Sequence, residues 1–179
     1  MARIPYPERP ADGVAKLPVP LNAFRMLSHA PPLTDTAIDM GLAVLLESTL
    51  PVRLRELLIM AVAAGTDCAY EAVQHRPIAL NSGVTEGQLA AVAELRAHGP
   101  EFDAAESAAL AAAFDLVSRH TLSEDVLAAL RAHHTDRQVV EIVTTVGYYV
   151  MLAGVMNGLG VDLDPSGERF LGLTGDGPG

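Results

Sequence analysis

Three side chains that can carry out proton or thiol chemistry lie close together in the sequence, and they are Cys68, Glu71 and His75. On a helix, Cys68 and Glu71 are spaced i, i+3, while Glu71 and His75 are spaced i, i+4. All three would therefore project from one face within two turns. This spacing predicts a thiol, a carboxylate and an imidazole within possible contact of one another.

Each of these groups has a physical reason to be reactive. Cys68 is predicted in the first turn of a helix, where unpaired N–H groups and the helix dipole favour a thiolate. Glu71 could accept or deliver a proton, and partial burial would adjust it toward neutrality. His75 could act as a base, an acid or a proton relay. Glu56, on the preceding predicted helix, could approach the same face, although its spacing does not establish the distance.

The same residues also have interpretations without chemistry. A lone cysteine in an alanine-rich helix is more often a small buried apolar residue, as Cys68 would be. Glu71 and His75 at i, i+4 are often a solvated surface pair. Glu56 stands beside two arginines and could be an exposed charge. From the residues alone, both interpretations stay open.

The elements that must position these groups follow from the rest of the sequence. Residues 1–32 contain seven of the twelve prolines and form a predicted extended arm, because proline at this density prevents a long helix. Residues 33–163 form the predicted domain, and residues 164–179 form a tail. The last part of the tail, residues 174–179, is predicted to be disordered.

From Thr34 onward, apolar residues recur at helical spacing rather than in the alternating pattern of a strand. Thr85 and Gln88 have the spacing of a capping box. The sequence therefore predicts an all-α fold, a single-domain helical bundle of about seven helices. These are expected at about 34–48, 51–64, 68–81, 85–98, 103–120, 123–133 and 135–158, with one or two further turns possible in 21–29.

Composition limits the classes of partner. The chain has 12 basic and 22 acidic residues, a formal net charge of −10 and a single lysine, which argues against a nucleic-acid-binding protein. The lone cysteine and the absence of an apolar secretory run in the N-terminal residues favour a cytoplasmic protein. Residues 142–161 carry no charge, but their polar and glycine residues favour a buried or subunit-interface helix over a membrane span.

Several short motifs together resemble the carboxymuconolactone decarboxylase-like family, whose superfamily also contains the alkyl hydroperoxidase D proteins. The motifs are Leu54-Arg55-Glu56-Leu57, Tyr70-Glu71, Gln74-His75 and Gly83-Val84-Thr85. The similarity extends over roughly residues 20 to 163. It implies the all-helical alkyl hydroperoxidase D-like fold, a small-molecule substrate and a homo-oligomer, either a trimer or a multiple of it, with a dimer as a further possibility.

In the hydroperoxidase branch of this superfamily, a Glu precedes a Cys-x-x-Cys pair, and a His follows the second Cys by four residues. Glu56, Cys68 and His75 occupy matching positions, but Glu71 replaces the second cysteine. A carboxylate cannot attack an oxidised cysteine to form a disulfide. Peroxidase turnover by a two-cysteine route is therefore not expected.

The resemblance then implies a lyase-like enzyme that uses cofactor-free acid–base chemistry, either decarboxylation or isomerisation, on a small organic acid or lactone. His75 or Glu71 would donate the proton, Glu56 would orient His75, and Cys68 would form the pocket wall or assist proton transfer. Arg53, Arg55 or Arg76 could bind an anionic substrate. No metal-ligand spacing and no glycine-rich phosphate loop is present, so no cofactor is expected.

Two alternatives remain at this point. Cys68 could work alone as a thiol-dependent peroxidase of the alkyl hydroperoxidase D type, with an external thiol that reduces its oxidised form. The chain could also be a non-catalytic oligomeric protein whose inherited pocket has lost its activity.

Overall fold

The computed structural model describes residues 1–165, in which the chain is all-helical and contains no strand. This confirms the predicted all-α class. The elements are a 3-10 helix at Asp12–Lys16 followed by α1 (Asn22–Leu27), α2 (Pro31–Leu46), α3 (Val52–Gly65), α4 (Ala69–Asn81), α5 (Glu86–Ala93), α6 (Ala104–Arg119), α7 (Glu124–His133) and α8 (Asp136–Leu159). The predicted disorder of residues 174–179 concerns residues outside the described range.

Helix α3 forms the centre of the bundle and packs against α4, α5, α6 and α8. Its apolar residues Leu57, Leu58 and Val62 are completely buried, and so is the charged residue Glu56. A helix that is apolar around most of its circumference belongs in a core rather than on a surface. The position of α3 therefore carries a carboxylate into the interior of the domain.

Two helix boundaries differ from the sequence-based expectation. Helix α2 begins at Pro31 rather than near Thr34, because prolines are tolerated in the first turn, where the N–H groups need no helical partner. Helix α5 ends at Ala93 rather than near residue 98. Leu95 there adopts a left-handed backbone with φ of 57°, and this conformation ends the helix before the predicted Gly-Pro stop.

The proline-rich arm packs on the helices of its own chain. The N–H of Arg3 donates to the carbonyl of Leu159 at the end of α8, at 2.8 Å. Farther along, the N–H of Ala11 donates to the hydroxyl of Ser28, also at 2.8 Å. The 3-10 helix packs against α2. The arm is therefore in place to form part of a binding site in the domain.

Helix α8 is long and apolar enough to cross a membrane by length and composition alone. Half of its most apolar segment is buried inside the domain, and core helices of soluble proteins meet the same criterion. Its inner face includes the buried residues Tyr148 and Tyr149. Its outer face exposes Val140, Met151 and Gly154, and residues 142–161 of the chain carry no charge.

Candidate functional site

A cavity of about 540 Å³ lies between helices α1, α2, α4 and α8, with part of the N-terminal arm in its wall. This volume is in the usual range for small-molecule sites. Most of the wall is apolar. The lining residues are Lys16, Leu17, Pro18, Leu21, Ala23, Phe24, Ile38, Gly41, Leu42, Leu45, Leu46, Tyr70, Glu71, Gln74, His75, Ile78, Tyr148, Tyr149, Leu152 and Met156.

Helix α4 supplies the polar part of this wall. Glu71, Gln74 and His75 are spaced i, i+3 and i+4, so they lie on one face of the helix, and Ile78 continues that face one turn later. The expected placement of Glu71 and His75 on a common face is therefore present. The sequence analysis assigned no role to Gln74, although its spacing from Glu71 could have suggested one.

A buried carboxylate holds the imidazole of His75. The Nδ1 atom of His75 lies 2.9 Å from Oε2 of Glu56, which is completely buried. Glu56 is held in turn by Arg55, whose Nε and Nη2 atoms are each 3.4 Å from Oε1. A carboxylate accepts the Nδ1 proton, so in the neutral imidazole Nε2 carries the lone pair and is the nitrogen that can take up a proton.

Aromatic side chains of α8 restrict the imidazole further. The ring of Tyr149 meets that of His75 edge to face, with centroids 5.1 Å apart, and Tyr148 packs against Tyr149 in the same way at 5.2 Å. The Tyr148 hydroxyl donates to the carbonyl of Ala37 at 3.0 Å. Gly41 leaves space for this hydroxyl, since a Cβ atom there would overlap with it.

Glu71 is the most unusual polar group in the wall. Its side chain is 2% exposed, and neither carboxyl oxygen has a hydrogen-bond partner among residues 1–165. Burial raises the pKa of Glu71 from 4.5 to about 9, because removal from water disfavours the charged form. At neutral pH the group is therefore a carboxylic acid, with a proton that it can donate in a hydrogen bond.

Cys68 lies apart from these groups. It is the N-cap residue of α4 rather than part of the first turn, it is 1% exposed, and it is not among the cavity-lining residues. Burial raises the pKa of the Cys68 thiol to about 11, and this effect outweighs the opposing influence of the nearby N–H groups of α4. The predicted thiolate is therefore wrong, and the alternative interpretation of Cys68 as a small buried residue is confirmed.

None of the three arginines considered as anion ligands lines the cavity. Each pairs with a carboxylate that does not itself line the cavity: Arg53 with Glu106, Arg55 with Glu56 and Arg76 with Glu86. The lysine in the wall, Lys16, pairs with Asp39 at the surface. Within residues 1–165, no group of three or more His, Cys, Asp or Glu side chains is arranged to hold a metal ion.

Comparison with known proteins finds a family whose sequence model matches part of the helical core. The sequence model of the carboxymuconolactone decarboxylase family matches residues 31–115, which include α2 to α5 and most of α6. The matched segment contains Glu56, Cys68, Glu71 and His75. This segment, slightly less than half of the chain, is similar to the carboxymuconolactone decarboxylase family. No curated protein matches the chain in sequence.

Solved structures with the alkyl hydroperoxidase D-like fold resemble the whole domain. An uncharacterized peroxidase-related protein from Ralstonia eutropha JMP134, described as an alkylhydroperoxidase AhpD core, has 22% identity and a TM-score of 0.75, with 95% of this chain and 94% of that chain covered. A peroxidase-related protein from Silicibacter sp. TM1040 has 19% identity and a TM-score of 0.71, with 88% and 82% covered.

The debrominase Bmp8, solved in complex with 2,3,4-tribromopyrrole, has 18% identity and a TM-score of 0.73, with 90% of this chain and 87% of that chain covered. At these identities the likenesses establish the fold alone. The chemistry of this protein must therefore be argued from its own cavity.

Proposed function

We propose that this protein is a cofactor-free enzyme that catalyses proton transfer on a small, uncharged carbonyl compound. The proposal assigns His75 as the base and Glu71 as a neutral acid. It rests above all on the unpaired, buried carboxyl of Glu71, which shares a cavity wall with an imidazole held by Glu56. An ionisable group kept neutral without a partner costs stability, and such groups are concentrated at functional sites.

The proposed step begins at the carbon next to the carbonyl group. His75 takes a proton from this carbon through Nε2, the C–H electron pair forms a carbon–carbon double bond, and the carbonyl electron pair moves onto oxygen. The Glu71 carboxyl turns toward the cavity that its own side chain borders and donates a hydrogen bond to this enolate oxygen. Carboxylic acids kept neutral by an apolar site are known to stabilise enolates in this way.

The enolate is then protonated by His75. In a β,γ-unsaturated lactone, return of the proton to the γ carbon moves the double bond into conjugation with the carbonyl, with no net oxidation or reduction. Loss of CO2 from a suitably placed carboxyl group would produce the same enolate. The two reactions share the stabilisation of the enolate by Glu71 and differ in the bond that breaks first, C–H in isomerisation and C–C in decarboxylation. In decarboxylation the proton that His75 delivers would come from solvent.

The apolar wall favours an uncharged substrate and therefore isomerisation. An anion in the cavity would lose its hydration and would meet a neutral Glu71, while the one lysine in the wall, Lys16, is already paired with Asp39. The arginines that could have balanced the negative charge of the anion form ion pairs outside the cavity wall. Within the substrate class indicated by the sequence, a lactone therefore fits the cavity better than an organic acid.

An assay with a simple lactone tests the assignment. α-Angelica lactone is an uncharged β,γ-unsaturated lactone whose conversion to the conjugated isomer is followed by ultraviolet absorbance. We expect His75→Ala to lower kcat by roughly 10²- to 10⁴-fold, as expected when a general base is lost. Glu71→Met removes the donor and should lower kcat by roughly 10²- to 10³-fold. Glu71→Gln keeps an N–H donor and should lie between wild type and Glu71→Met.

Cys68→Ala is the matched control, because the thiol is buried and does not line the cavity. It should retain wild-type turnover. If the lactone reaction depended on Cys68 but not on His75 or Glu71, the proposal would be wrong, and the single-cysteine redox alternative would take its place.

A further inference from the structure

The amide of Gln74 lies in the cavity wall with one of its two ends already engaged. Gln74 is 5% exposed, and its Nε2 atom donates to the carbonyl of Pro165 at 2.8 Å, with the carbonyl of Asp164 at 3.4 Å. Carbonyl oxygens require a donor, so this contact fixes which end of the amide is the nitrogen. The oxygen Oε1 must therefore point away from these two carbonyls.

This oxygen is a buried acceptor, and it has no partner among residues 1–165. A buried acceptor left unsatisfied destabilises the folded state, whereas a ligand that supplies an O–H or N–H group removes this cost on binding. Gln74 stands one helical turn from Glu71 on the face of α4 that forms the cavity wall. The wall thus holds a donor, the neutral Glu71, close to an acceptor.

We propose that Gln74 determines substrate specificity by selecting uncharged ligands that carry a hydroxyl or N–H donor next to the oxygen bound by Glu71. The inference rests on the proposed function, because it takes Glu71 as the group that binds the reacting oxygen. A hydroxylated lactone or an enol has this arrangement of groups. A single hydroxyl group could also satisfy both residues, since it accepts one hydrogen bond and donates another.

The remaining wall is consistent with this ligand class. Leu42, Leu45, Ile78, Leu152 and Met156 provide apolar surface for the body of the ligand. Polar recognition is thus concentrated on one face of α4. A ligand that lacks the donor would still bury its apolar surface but would leave the Gln74 oxygen unpaired.

The test measures binding of a matched pair of probes, 2-naphthol and 2-methoxynaphthalene, by fluorescence titration at pH 7. The methyl ether keeps the acceptor oxygen and loses the donor. The chain contains no tryptophan, so the naphthalene emission is easily separated from that of the protein. The measured quantity is the ratio of the two dissociation constants, compared between wild type and Gln74→Met.

We expect the preference for 2-naphthol over its ether to be about fivefold larger in wild type than in Gln74→Met, the effect of one neutral hydrogen bond. Leu152→Met is the matched control, since it changes another wall residue without touching a polar group, and it should keep the wild-type ratio. Equal ratios in wild type and Gln74→Met would overturn the proposal, as would failure of wild type to bind either probe.

Wild type alone provides a second test in case Gln74→Met does not fold. In a purely apolar wall naphthalene binds more tightly than 2-naphthol, because the hydroxyl loses its hydration. The proposal requires the opposite order. Loss of lactone turnover in His75→Ala together with an unchanged probe ratio would support the catalytic role of His75 and leave the inference about Gln74 in place. Wild type that lacks lactone turnover but keeps the probe preference would contradict the proposed function and leave the role of Gln74 intact.

Discussion

The protonation of Glu71 makes a quantitative prediction about stability. The pKa of Glu71 is raised from 4.5 to about 9 in the folded protein, whereas the unfolded chain exposes the carboxyl to water. Between these values the unfolded state has lost the proton and the folded state has kept it. A group with a raised folded-state pKa contributes stability below its unfolded value, and this contribution is lost as pH rises toward the folded value.

The magnitude follows from the same pKa values. Neutral pH lies about 2.5 pH units above 4.5, and each unit corresponds to about 1.4 kcal/mol. Glu71 therefore lowers the free energy of unfolding at pH 7 by about 3 kcal/mol relative to its acid limit, and by less than about 1 kcal/mol at pH 5. Cys68, with a pKa of about 11, does not titrate in this window.

Glu71→Gln removes the titration while it keeps the shape of the side chain. We expect this variant to be close to wild type in stability at pH 5 and more stable by about 3 kcal/mol at pH 7. In a chain of this size, that difference raises the melting temperature by about 6 to 12 °C. Thermal melts of both proteins at half-unit intervals from pH 5 to pH 9 measure it, and other titrating groups cancel in the comparison.

Glu8→Gln is the matched control, because Glu8 is exposed in the N-terminal arm. The difference in melting temperature between Glu8→Gln and wild type should stay constant across the pH series. A pH-independent difference for Glu71→Gln would mean that Glu71 is ionised in the folded protein. That result would refute both the assigned protonation state and the role of Glu71 as a neutral donor.

Three further predictions follow from other parts of the structure. Cys68 should resist alkylation at pH 8 in the folded protein and react after addition of urea, because its thiol is 1% exposed and has a pKa of about 11. Rapid labelling of the folded protein would contradict this. Gly41→Ala should destabilise the protein by roughly 1–3 kcal/mol in urea denaturation, because the added methyl group overlaps with the Tyr148 hydroxyl. Gly87→Ala, at an open helical position, is its control and should be neutral or stabilising in the same series. We propose that the chain forms a homo-oligomer through the uncharged outer face of α8. Met151→Glu should then reduce the mass measured by light scattering to that of a smaller species, and a monomeric wild type would contradict this.

The sequence predicts the helices well where local chemistry determines them. The capping box of Thr85 and Gln88 is present, because reciprocal hydrogen bonds over three residues need no distant partner. The early end of α5 was missed, since nothing in the local sequence marks Leu95 as a residue with a left-handed backbone. The common face of Glu71 and His75 follows from helical spacing alone.

Burial and contacts between distant segments could not be predicted in this way. The sequence offers no means to tell that Glu71 is buried without a partner, because this property depends on how α4 packs against the rest of the bundle. Burial of Cys68 was one of the two interpretations that its sequence context allowed, and only the packing of α4 decides between them. The contact of Gln74 with Pro165 joins residues far apart in the chain. For the same reason, spacing gave the position of Glu56 in a helix but not its distance from His75.

Hydrogen exchange at the carbon next to a carbonyl group tests the central claim most directly. α-Angelica lactone incubated with the protein in deuterium oxide and followed by proton NMR reports enolate formation even where little net isomerisation occurs. We predict that wild type replaces the proton on the carbon next to the carbonyl with deuterium well above the buffer rate, and that His75→Ala does so at the buffer rate. Equal exchange by wild type and His75→Ala, or exchange by neither protein above buffer, would contradict the assignment of His75 and Glu71 to enolate chemistry.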